Sequence, residues 1–280
     1  MRTSDNLEPM RPLIGADEVA GLSEPVVLDV RWTLGGPTRE PDYREGHLPR
    51  AVWIDFDRDV CGPARETGGR HPLPDPGAFQ EVLREAGVNE DSTVVVYDDG
   101  DGMAAARTWW TLRWAGHEDV HVLDGGIAAW VAADYPLVAV MPERCRGDFV
   151  VRPGGLPVLD ADGAAERAVR GELVDVRAAE RYRGDDEPVD PVAGHIPGAI
   201  NLPLSGDNAP EGSLGLADAQ VLRERYEDHR GAAFYCGSGV GAARAALAFT
   251  AAGLPTPPVY IGSWSDWVSQ DREIATGEER

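Results

Sequence analysis

The sequence predicts an α/β fold made of two tandem copies of one unit, each a parallel sheet flanked by helices. Short runs of β-branched and apolar residues alternate along the chain with helical patterns, which is typical of a parallel sheet covered by helices. The segments VVLDVRW (26–32) and GHLPRAVWID (46–55) recur in the same order as ELVDVRA (172–178) and GHIPGAINLP (194–203). The length of 280 residues also fits two domains at roughly 150 residues each.

Each copy contains three apolar strands in the same order. They are VVLDV, VVVYD and VHVL, beginning at Val26, Val94 and Val120, and ELVDV, AAFYC and PVYI, beginning at Glu172, Ala232 and Pro258. Helical periodicity predicts helices at FQEVLREAGV and AQVLRERYEDH, and alanine-rich helices follow VVVYD and AAFYC. These landmarks place a first domain at residues 10–141, a solvated linker rich in Pro, Gly and Arg at 142–157, and a second domain at 158–272.

Charge and cysteine content exclude several classes of protein. A net charge of -22 repels phosphate backbones and anionic membranes, so neither nucleic acid nor a membrane is an expected partner. No apolar run reaches the roughly 18 residues that span a bilayer, and the N-terminus has no signal-peptide pattern, so we expect a cytoplasmic protein. The three cysteines, Cys61, Cys145 and Cys236, have no CxxC spacing and indicate neither a disulfide framework nor a metal site.

The two copies differ most at the loop after their second strand. Where the first copy has Asp98, the second has Cys236, followed by the glycine-rich loop CGSGVG and a helix. Such a loop can aim main-chain N–H groups at one point, and the helix adds the positive end of its dipole, so the loop favours a nucleophilic thiolate. The alternative is an inert, buried cysteine beside a turn. A Cys-x5-Arg phosphatase cradle is disfavoured because Ala242 stands where its arginine would lie.

These motifs resemble those of the tandem rhodanese-domain sulfurtransferases. The shared segments are both GH-[LI]-P motifs, GGRHPLP (68–74), LDGG-x3-W ending at Trp130, and GSWSDW (262–267). The loop CGSGV resembles that of the 3-mercaptopyruvate sulfurtransferases within this family. The resemblance implies two rhodanese-like domains, of which the first is catalytically inactive and the second carries sulfane sulfur as a persulfide on Cys236.

The resemblance also implies roles for particular residues. Ser238 and His47 would form a proton relay with an acidic partner among Glu40, Asp42 and Glu45. Because His195 is the counterpart of His47, both histidines have the alternative role of fixing the fold. Arg181 would bind the substrate carboxylate, and the rest of the substrate-binding loop would be Gly237, Gly239, Val240 and Gly241.

Two departures from the family pattern concern substrate binding. A second arginine near GHIPG is replaced by acidic or apolar residues, with Asp190 one candidate position, and Gly241 stands where the family loop commonly has threonine.

The predicted function is transfer of sulfane sulfur from 3-mercaptopyruvate or thiosulfate to a thiol or cyanide. The small residues Gly237 and Ser238 favour 3-mercaptopyruvate, because rhodaneses that prefer thiosulfate place Arg and Lys after the cysteine. The expected partners are a small-molecule sulfur donor and a thiol acceptor such as thioredoxin or a small thiol, with no cofactor and no metal. The alternatives are a thiosulfate:cyanide sulfurtransferase and a non-catalytic persulfide carrier.

Overall fold

Two five-stranded sheets, both entirely parallel, form the centre of the molecule. The structure is a computed structural model that describes residues 11–64 and 67–278. The strands of the first half are β1 (Leu13–Ile14), β2 (Val26–Asp29), β3 (Ala51–Trp53), β4 (Val94–Tyr97) and β5 (Val120–Leu123), in the spatial order β1-β5-β4-β2-β3. Those of the second are β6 (Val158–Leu159), β7 (Leu173–Asp175), β8 (Ile200–Asn201), β9 (Ala233–Tyr235) and β10 (Val259–Tyr260), in the equivalent order β6-β10-β9-β7-β8.

Ten α-helices in the described residues cover the two sheets. They are α1 (Ala16–Gly21), α2 (Glu40–Glu45), α3 (Pro76–Glu85), α4 (Met103–Trp114), α5 (Gly126–Ala132), α6 (Ala161–Val169), α7 (Ala179–Arg183), α8 (Ala219–Tyr226), α9 (Val240–Ala251) and α10 (Ser263–Ser269). The α/β fold class and its duplication are confirmed, and all six apolar runs predicted as strands form strands. The strands β1, β3, β6 and β8 are two or three residues long and lie next to the predicted ones or at sheet edges.

The motif Asp-Val-Arg that ends β2 and β7 forms the same buried ion pair in both halves. Nη2 of Arg31 lies 2.8 Å from Oδ2 of Asp29, and Nη2 of Arg177 lies 2.6 Å from Oδ2 of Asp175. Both carboxylates are fully buried. A buried charge is tolerated only when it is paired and hydrogen-bonded. The repeated motif therefore serves the fold of each half.

Helices α4 and α9 pack against each other and join the two halves. Both are buried on nearly every side, including Trp109 and Trp110 on α4 and the alanines of α9. A helix that is apolar all round lies inside a protein. Since each helix also covers its own sheet, the two form one core between the halves.

The segment predicted as a solvated linker lies along the first half. Phe149 is fully buried and contacts the ring of His117, and main-chain N–H groups of Gly147 and Arg152 donate to the carbonyls of Arg84 and Ala115 at 2.8 Å. Most of residues 142–157 are exposed or half-buried, as expected for a solvated linker, while the apolar side chain of Phe149 and these hydrogen bonds fix the segment to the domain that precedes it.

Candidate active site

Cys236 lies at the carboxyl end of β9, in the tight loop that leads into α9. The main-chain N–H of Gly239 donates to its Sγ at 3.1 Å. Gly239 has φ +81°, and a Cβ on it would lie 2.4 Å from the carbonyl oxygen of Ile261, so the turn requires glycine. Ser263 Oγ accepts from the N–H of Cys236 at 3.1 Å, and the Cys236 carbonyl accepts from the N–H of Trp264 at 2.9 Å. The loop thus directs an N–H group at a sulfur whose own backbone is fixed.

The equivalent loop of the first half already holds an anion. Asp98 accepts hydrogen bonds from the N–H groups of Gly100, Gly102 and Ala105 at 2.9 to 3.2 Å. Burial raises the pKa of this carboxyl to about 6. Both loops therefore direct main-chain N–H groups at an acidic side chain, a carboxyl in the first half and a thiol in the second.

Both halves line the cavity in front of Cys236, which has a volume of about 720 Å³. Trp32, Arg70 and Met103 contribute from the first half, and Arg177, Arg181 and Leu204 from the second. The cysteine itself is 5% exposed and opens on this space. The size is suitable for a small-molecule ligand.

A histidine from the first half contacts the loop serine. His71 Nδ1 lies 2.7 Å from Ser238 Oγ, and its Nε2 lies 3.6 Å from Asp57 Oδ1. Burial, together with the nearby Arg107 and Arg70 guanidiniums, lowers the pKa of His71 to about 4. The imidazole is therefore neutral near pH 7, and its Nδ1 can accept the proton of the Ser238 hydroxyl while Nε2–H faces Asp57.

The structure does not bring His47 to this cavity, so the predicted relay is corrected. Its ring is fully buried, and its nitrogens lie 2.7 Å from the Tyr43 carbonyl and 3.3 Å from the Val140 carbonyl. His195 stacks on Tyr182 and contacts its carbonyl in the same way. The alternative role for His47, fixing the fold, is the one that its contacts support.

Two of the candidate acidic partners of His47 are engaged elsewhere. Glu40 is paired with Arg44, and Asp42 with Arg39, while Glu45 is the last residue of α2. None of the three lines the cavity. His71, which contacts Ser238, and Asp57, which lies 3.6 Å from His71, occur in the first copy of the repeat alone, and that difference between the copies was the available sequence signal.

Arg181 lies at the cavity, as the resemblance implies, and is held by two carboxylates. Its Nη2 donates to Glu187 Oε1 at 2.7 Å and to Asp190 Oδ2 at 3.1 Å. Burial would raise the pKa of Glu187, yet Arg181 and the main-chain N–H groups of Asp190 and Val189 hold it below its ordinary value. Asp190, the candidate for the missing second arginine, is thus a partner of the remaining one.

The remaining loop residues are small where they approach the sulfur. A Cβ on Gly241 would lie 3.6 Å from Cys236 Sγ and 2.9 Å from Leu204 Cδ1. The space that the family threonine would need is therefore partly filled by Leu204. Gly237 and Val240 line the same cavity beside Cys236.

The part of the chain that the structure describes offers few other candidates for a reactive or metal-binding site. No group of three or more His, Cys, Asp or Glu side chains there is placed to hold a metal ion, and no helix there is long and apolar enough to cross a bilayer. Cys61 is buried, which raises its pKa to about 11, while Cys145 is exposed. The thiol with both an N–H donor and a cavity is Cys236.

Comparisons with known proteins match both halves. The model of the rhodanese-like domain matches residues 15–133 and 160–270. A probable 3-mercaptopyruvate sulfurtransferase of Pseudomonas aeruginosa is 43% identical over 95% of this chain and 98% of that protein. A putative thiosulfate sulfurtransferase of Mycobacterium tuberculosis is 40% identical over 92% of this chain and 94% of that protein. The solved structure of a 3-mercaptopyruvate sulfurtransferase from Leishmania major superposes with a TM-score of 0.83 at 26% identity, covering 94% of this chain and 75% of that one.

Proposed function

Since the chain belongs to the rhodanese family, with one rhodanese-like domain in each half, we propose that it carries sulfane sulfur from 3-mercaptopyruvate on Cys236. The resemblance seen in the sequence is confirmed, and the chain is a sulfurtransferase. The observation that carries the proposal is the Cys236 sulfur, which accepts a hydrogen bond from the Gly239 N–H in a cavity that Ser238 also lines, with His71 in contact with the Ser238 hydroxyl.

The first half-reaction transfers one sulfur atom to the enzyme. The Cys236 thiolate attacks the thiol sulfur of 3-mercaptopyruvate, the new S–S bond forms, and the donor C–S bond breaks with its electron pair moving to carbon. The leaving enolate takes up one proton and becomes pyruvate. Ser238 and His71 are placed to relay that proton, with Asp57 facing the other ring nitrogen, and the Gly239 N–H stabilises the anionic sulfur.

The second half-reaction returns the enzyme to its starting state. A thiolate acceptor attacks the outer persulfide sulfur, takes it as a new persulfide, and the S–S bond to Cys236 breaks with the electron pair remaining on Cys236. Cyanide would accept the same atom and form thiocyanate. We propose a thiol acceptor, such as thioredoxin or a small thiol, and the cytoplasm as the compartment that keeps it reduced.

The persulfide itself is the direct test. Protein incubated with 3-mercaptopyruvate should release pyruvate and gain the mass of one sulfur atom on the Cys236 peptide. Cys236→Ser should abolish both, while Cys145→Ser, at an exposed cysteine outside the cavity, should retain both. Full turnover by Cys236→Ser would refute the mechanism.

The proton relay predicts a separate effect. Ser238→Ala and His71→Gln should each lower kcat with 3-mercaptopyruvate roughly 100-fold, a typical contribution of a positioned proton donor. His47→Gln should lower stability instead and leave the kcat of the folded fraction near that of the wild type, since its contacts are with main-chain carbonyls. A larger kcat loss in His47→Gln than in His71→Gln would reverse the assignment.

Thiosulfate is the second candidate donor, favoured by the 40% identity to a putative thiosulfate sulfurtransferase. The ratio of kcat/KM for the two donors decides between them, and we expect 3-mercaptopyruvate to give the larger value. Repeated turnover also separates an enzyme from a persulfide carrier, which would load one sulfur atom and then require a dedicated partner.

A further inference from the structure

Arg107 is a buried cation that has no carboxylate partner among the described residues. It lies on α4 and is 0% exposed. Its Nη2 donates to the His71 carbonyl at 2.8 Å and its Nε to Thr111 Oγ1 at 3.3 Å, whereas its Nη1 has no hydrogen-bond partner within residues 11–64 and 67–278. Because both acceptors are neutral oxygens, these contacts leave the positive charge of Arg107 unbalanced.

Other buried arginines of this protein are neutralised by a carboxylate. The two Asp-Val-Arg motifs pair Arg31 and Arg177 with the aspartate two residues before each of them. Taking a charge out of water is unfavourable unless an opposite charge lies close to it. An anion is therefore expected near Arg107, and the carboxylates that the structure describes do not supply it.

Two thiols are the neighbours of Arg107 that can become anionic. Burial lowers the pKa of Arg107, and Cys61 and Cys236 oppose that effect. Burial also raises the pKa of Cys61 to about 11, so this thiol stays protonated near pH 7. Cys236 differs, because the Gly239 N–H donates to its Sγ at 3.1 Å and favours a negative sulfur. The Cys236 sulfur is therefore the anion that can balance Arg107.

Gly239 connects the guanidinium with the sulfur. A Cβ on Gly239 would lie 2.7 Å from Nη1 of Arg107, the nitrogen without a partner. The N–H of the same glycine donates to Cys236 Sγ, and Arg107 itself does not line the cavity. The guanidinium thus approaches the loop from behind, on the side away from the substrate. Both groups are buried, so solvent screens their interaction only weakly.

We propose that Arg107 is the counter-charge of the anionic Cys236 sulfur, a positioning residue that the first domain supplies from behind the Gly239 turn. The inference rests on the proposed function, which makes Cys236 the nucleophile, and adds a cation that does not touch the donor. Arg107 increases the fraction of thiolate before the attack and balances the negative sulfur that returns when the acceptor leaves. No bond forms or breaks at Arg107, and it stays protonated throughout.

Arg244 provides a matched control within the same interface. It occupies the position on α9 that Arg107 occupies on α4, and it is 5% exposed. Its Nε donates to the Asp101 carbonyl and its Nη2 to Asn208 Oδ1, both at 2.7 Å. Arg244 does not line the Cys236 cavity. Its replacement therefore removes a buried arginine from the interface without removing a charge from behind the sulfur.

The pH dependence of Cys236 alkylation tests the counter-charge without any sulfur donor. Iodoacetamide is neutral and reacts with thiolates, so its rate on the Cys236 peptide follows the ionised fraction. In a Cys145→Ser background, Arg107→Gln should move the midpoint of the rate upward by about one pH unit and lower the rate about tenfold on the acid side. The limiting rate at high pH should equal that of the parent or exceed it up to about threefold, because a more basic thiolate is more nucleophilic.

The other charged groups around Cys236 are the same in all these variants. His71 has a pKa of about 4 and is neutral above pH 6, and Asp266 on α10 accepts from the Tyr260 hydroxyl and the Gly68 N–H. Each arginine of the cavity has a carboxylate partner. The charged residues that line the cavity are Arg70, Asp99, Asp101, Arg177 and Arg181. A shift confined to the Arg107 variants therefore reports the charge of Arg107.

Three further variants separate charge from structure. Arg107→Lys should recover most of the parental midpoint because it keeps the charge, and Arg107→Met should shift it as Arg107→Gln does. Arg244→Gln should lower the urea midpoint but leave the alkylation midpoint unchanged. A parental alkylation midpoint in Arg107→Gln and Arg107→Met, or an equal shift in Arg244→Gln, would overturn the counter-charge. The proposed function fails separately, if the parent alkylates normally but never forms a persulfide.

A double-mutant cycle gives the second measurement. On the alkaline side of the alkylation midpoint, Arg107→Met should lower the urea midpoint more in the parent than in Cys236→Ser, because serine offers no anion to the guanidinium. On the acid side the two losses should agree. Equal losses on both sides would show that Arg107 and the Cys236 sulfur are not coupled and would overturn the pairing.

Discussion

The neutral imidazole of His71 couples the stability of the protein to pH. Its pKa is about 4 in the folded protein, mainly because of burial, against about 6.5 in an unfolded chain. The unfolded chain therefore binds more protons between these values, and the stability that the neutral form provides is present above pH 6.5 and is lost as the pH falls toward 4. Between pH 7 and pH 5 this group alone should reduce the free energy of unfolding by about 2 kcal/mol.

Comparison with His71→Gln isolates this contribution, because glutamine keeps a polar side chain without the titration. Urea unfolding at the two pH values should show a smaller loss in the variant than in the wild type, by about 2 kcal/mol. His117 and His229, whose pKa values are also lowered by burial, are present in both proteins and cancel in the difference. An equal loss in both proteins would mean that folding does not lower the pKa of His71.

At the level of single residues, the sequence predicts Cys236 as the nucleophile but does not predict the histidine that contacts Ser238. The prediction of Cys236 depends on comparing the two copies, because Asp98 and its loop are the non-thiol counterpart, whereas Ser238 follows from the family resemblance. His71 was missed because its contact with Ser238 spans 167 residues and crosses between domains. His47, present in both copies, belongs to the shared set that fixes the fold, and comparing copies in both directions would have separated the two histidines.

The Cys236 loop and the first turn of α9 form one structural element, and a substitution at Gly239 tests whether its close packing matters. Gly239→Ala would place a Cβ 2.4 Å from the Ile261 carbonyl and 2.7 Å from Nη1 of Arg107, in addition to the cost of a left-handed backbone. We expect the N–H to shift away from Cys236 Sγ, turnover to fall at least about tenfold, and stability to drop by about 3 kcal/mol.

Gly231→Ala is the matched control for this substitution. Gly231 has φ +83°, nearly the same as Gly239, but nothing lies within 4 Å of its Cβ position. Gly231→Ala should lower the free energy of unfolding only by the cost of the left-handed backbone, about 1 to 2 kcal/mol, and should leave turnover unchanged. The urea midpoints and kcat values of the two variants separate the cost of the backbone conformation from the cost of the close contacts. Equal effects in both variants would show that the close approach of Gly239 to Ile261 and Arg107 is unimportant.

Strands were predictable in proportion to their burial. Strands β2, β4 and β5 and their counterparts β7, β9 and β10 are runs of buried apolar residues, which sequence patterns reveal directly. Strands β1, β3, β6 and β8 are the edge strands of the two sheets and are less buried, and their pairing is determined by neighbours distant in the chain. The segment predicted as a solvated linker is mostly exposed, but its docking was not predicted, since that depends on a pocket for Phe149 formed by other elements.

Across the whole molecule, each domain supplies an arginine to the loop of the other. Arg107 on α4 lies beside Gly239, and Arg244 on α9 donates through Nε to the Asp101 carbonyl at 2.7 Å beside Gly102. Burial lowers the pKa of Arg107, and the neighbouring Cys61 and Cys236 oppose that effect. The first domain also places Arg70 at the cavity and His71 against Ser238, so both domains contribute side chains around the Cys236 loop.

This exchange predicts that the two domains unfold together. Separation would expose the buried faces of α4 and α9, including Trp109 and Trp110, and would leave Arg107 and Arg244 without their contacts across the interface. Exposure of apolar surface costs about 25 cal/mol per Å², so a state with one folded domain should be scarcely populated. Native-state hydrogen exchange in low urea should give the amides of β4 and β9 one shared opening free energy and one denaturant dependence. Two distinct values, with the first sheet opening while the second stays protected, would show that the domains are independent and that the interface only aligns them.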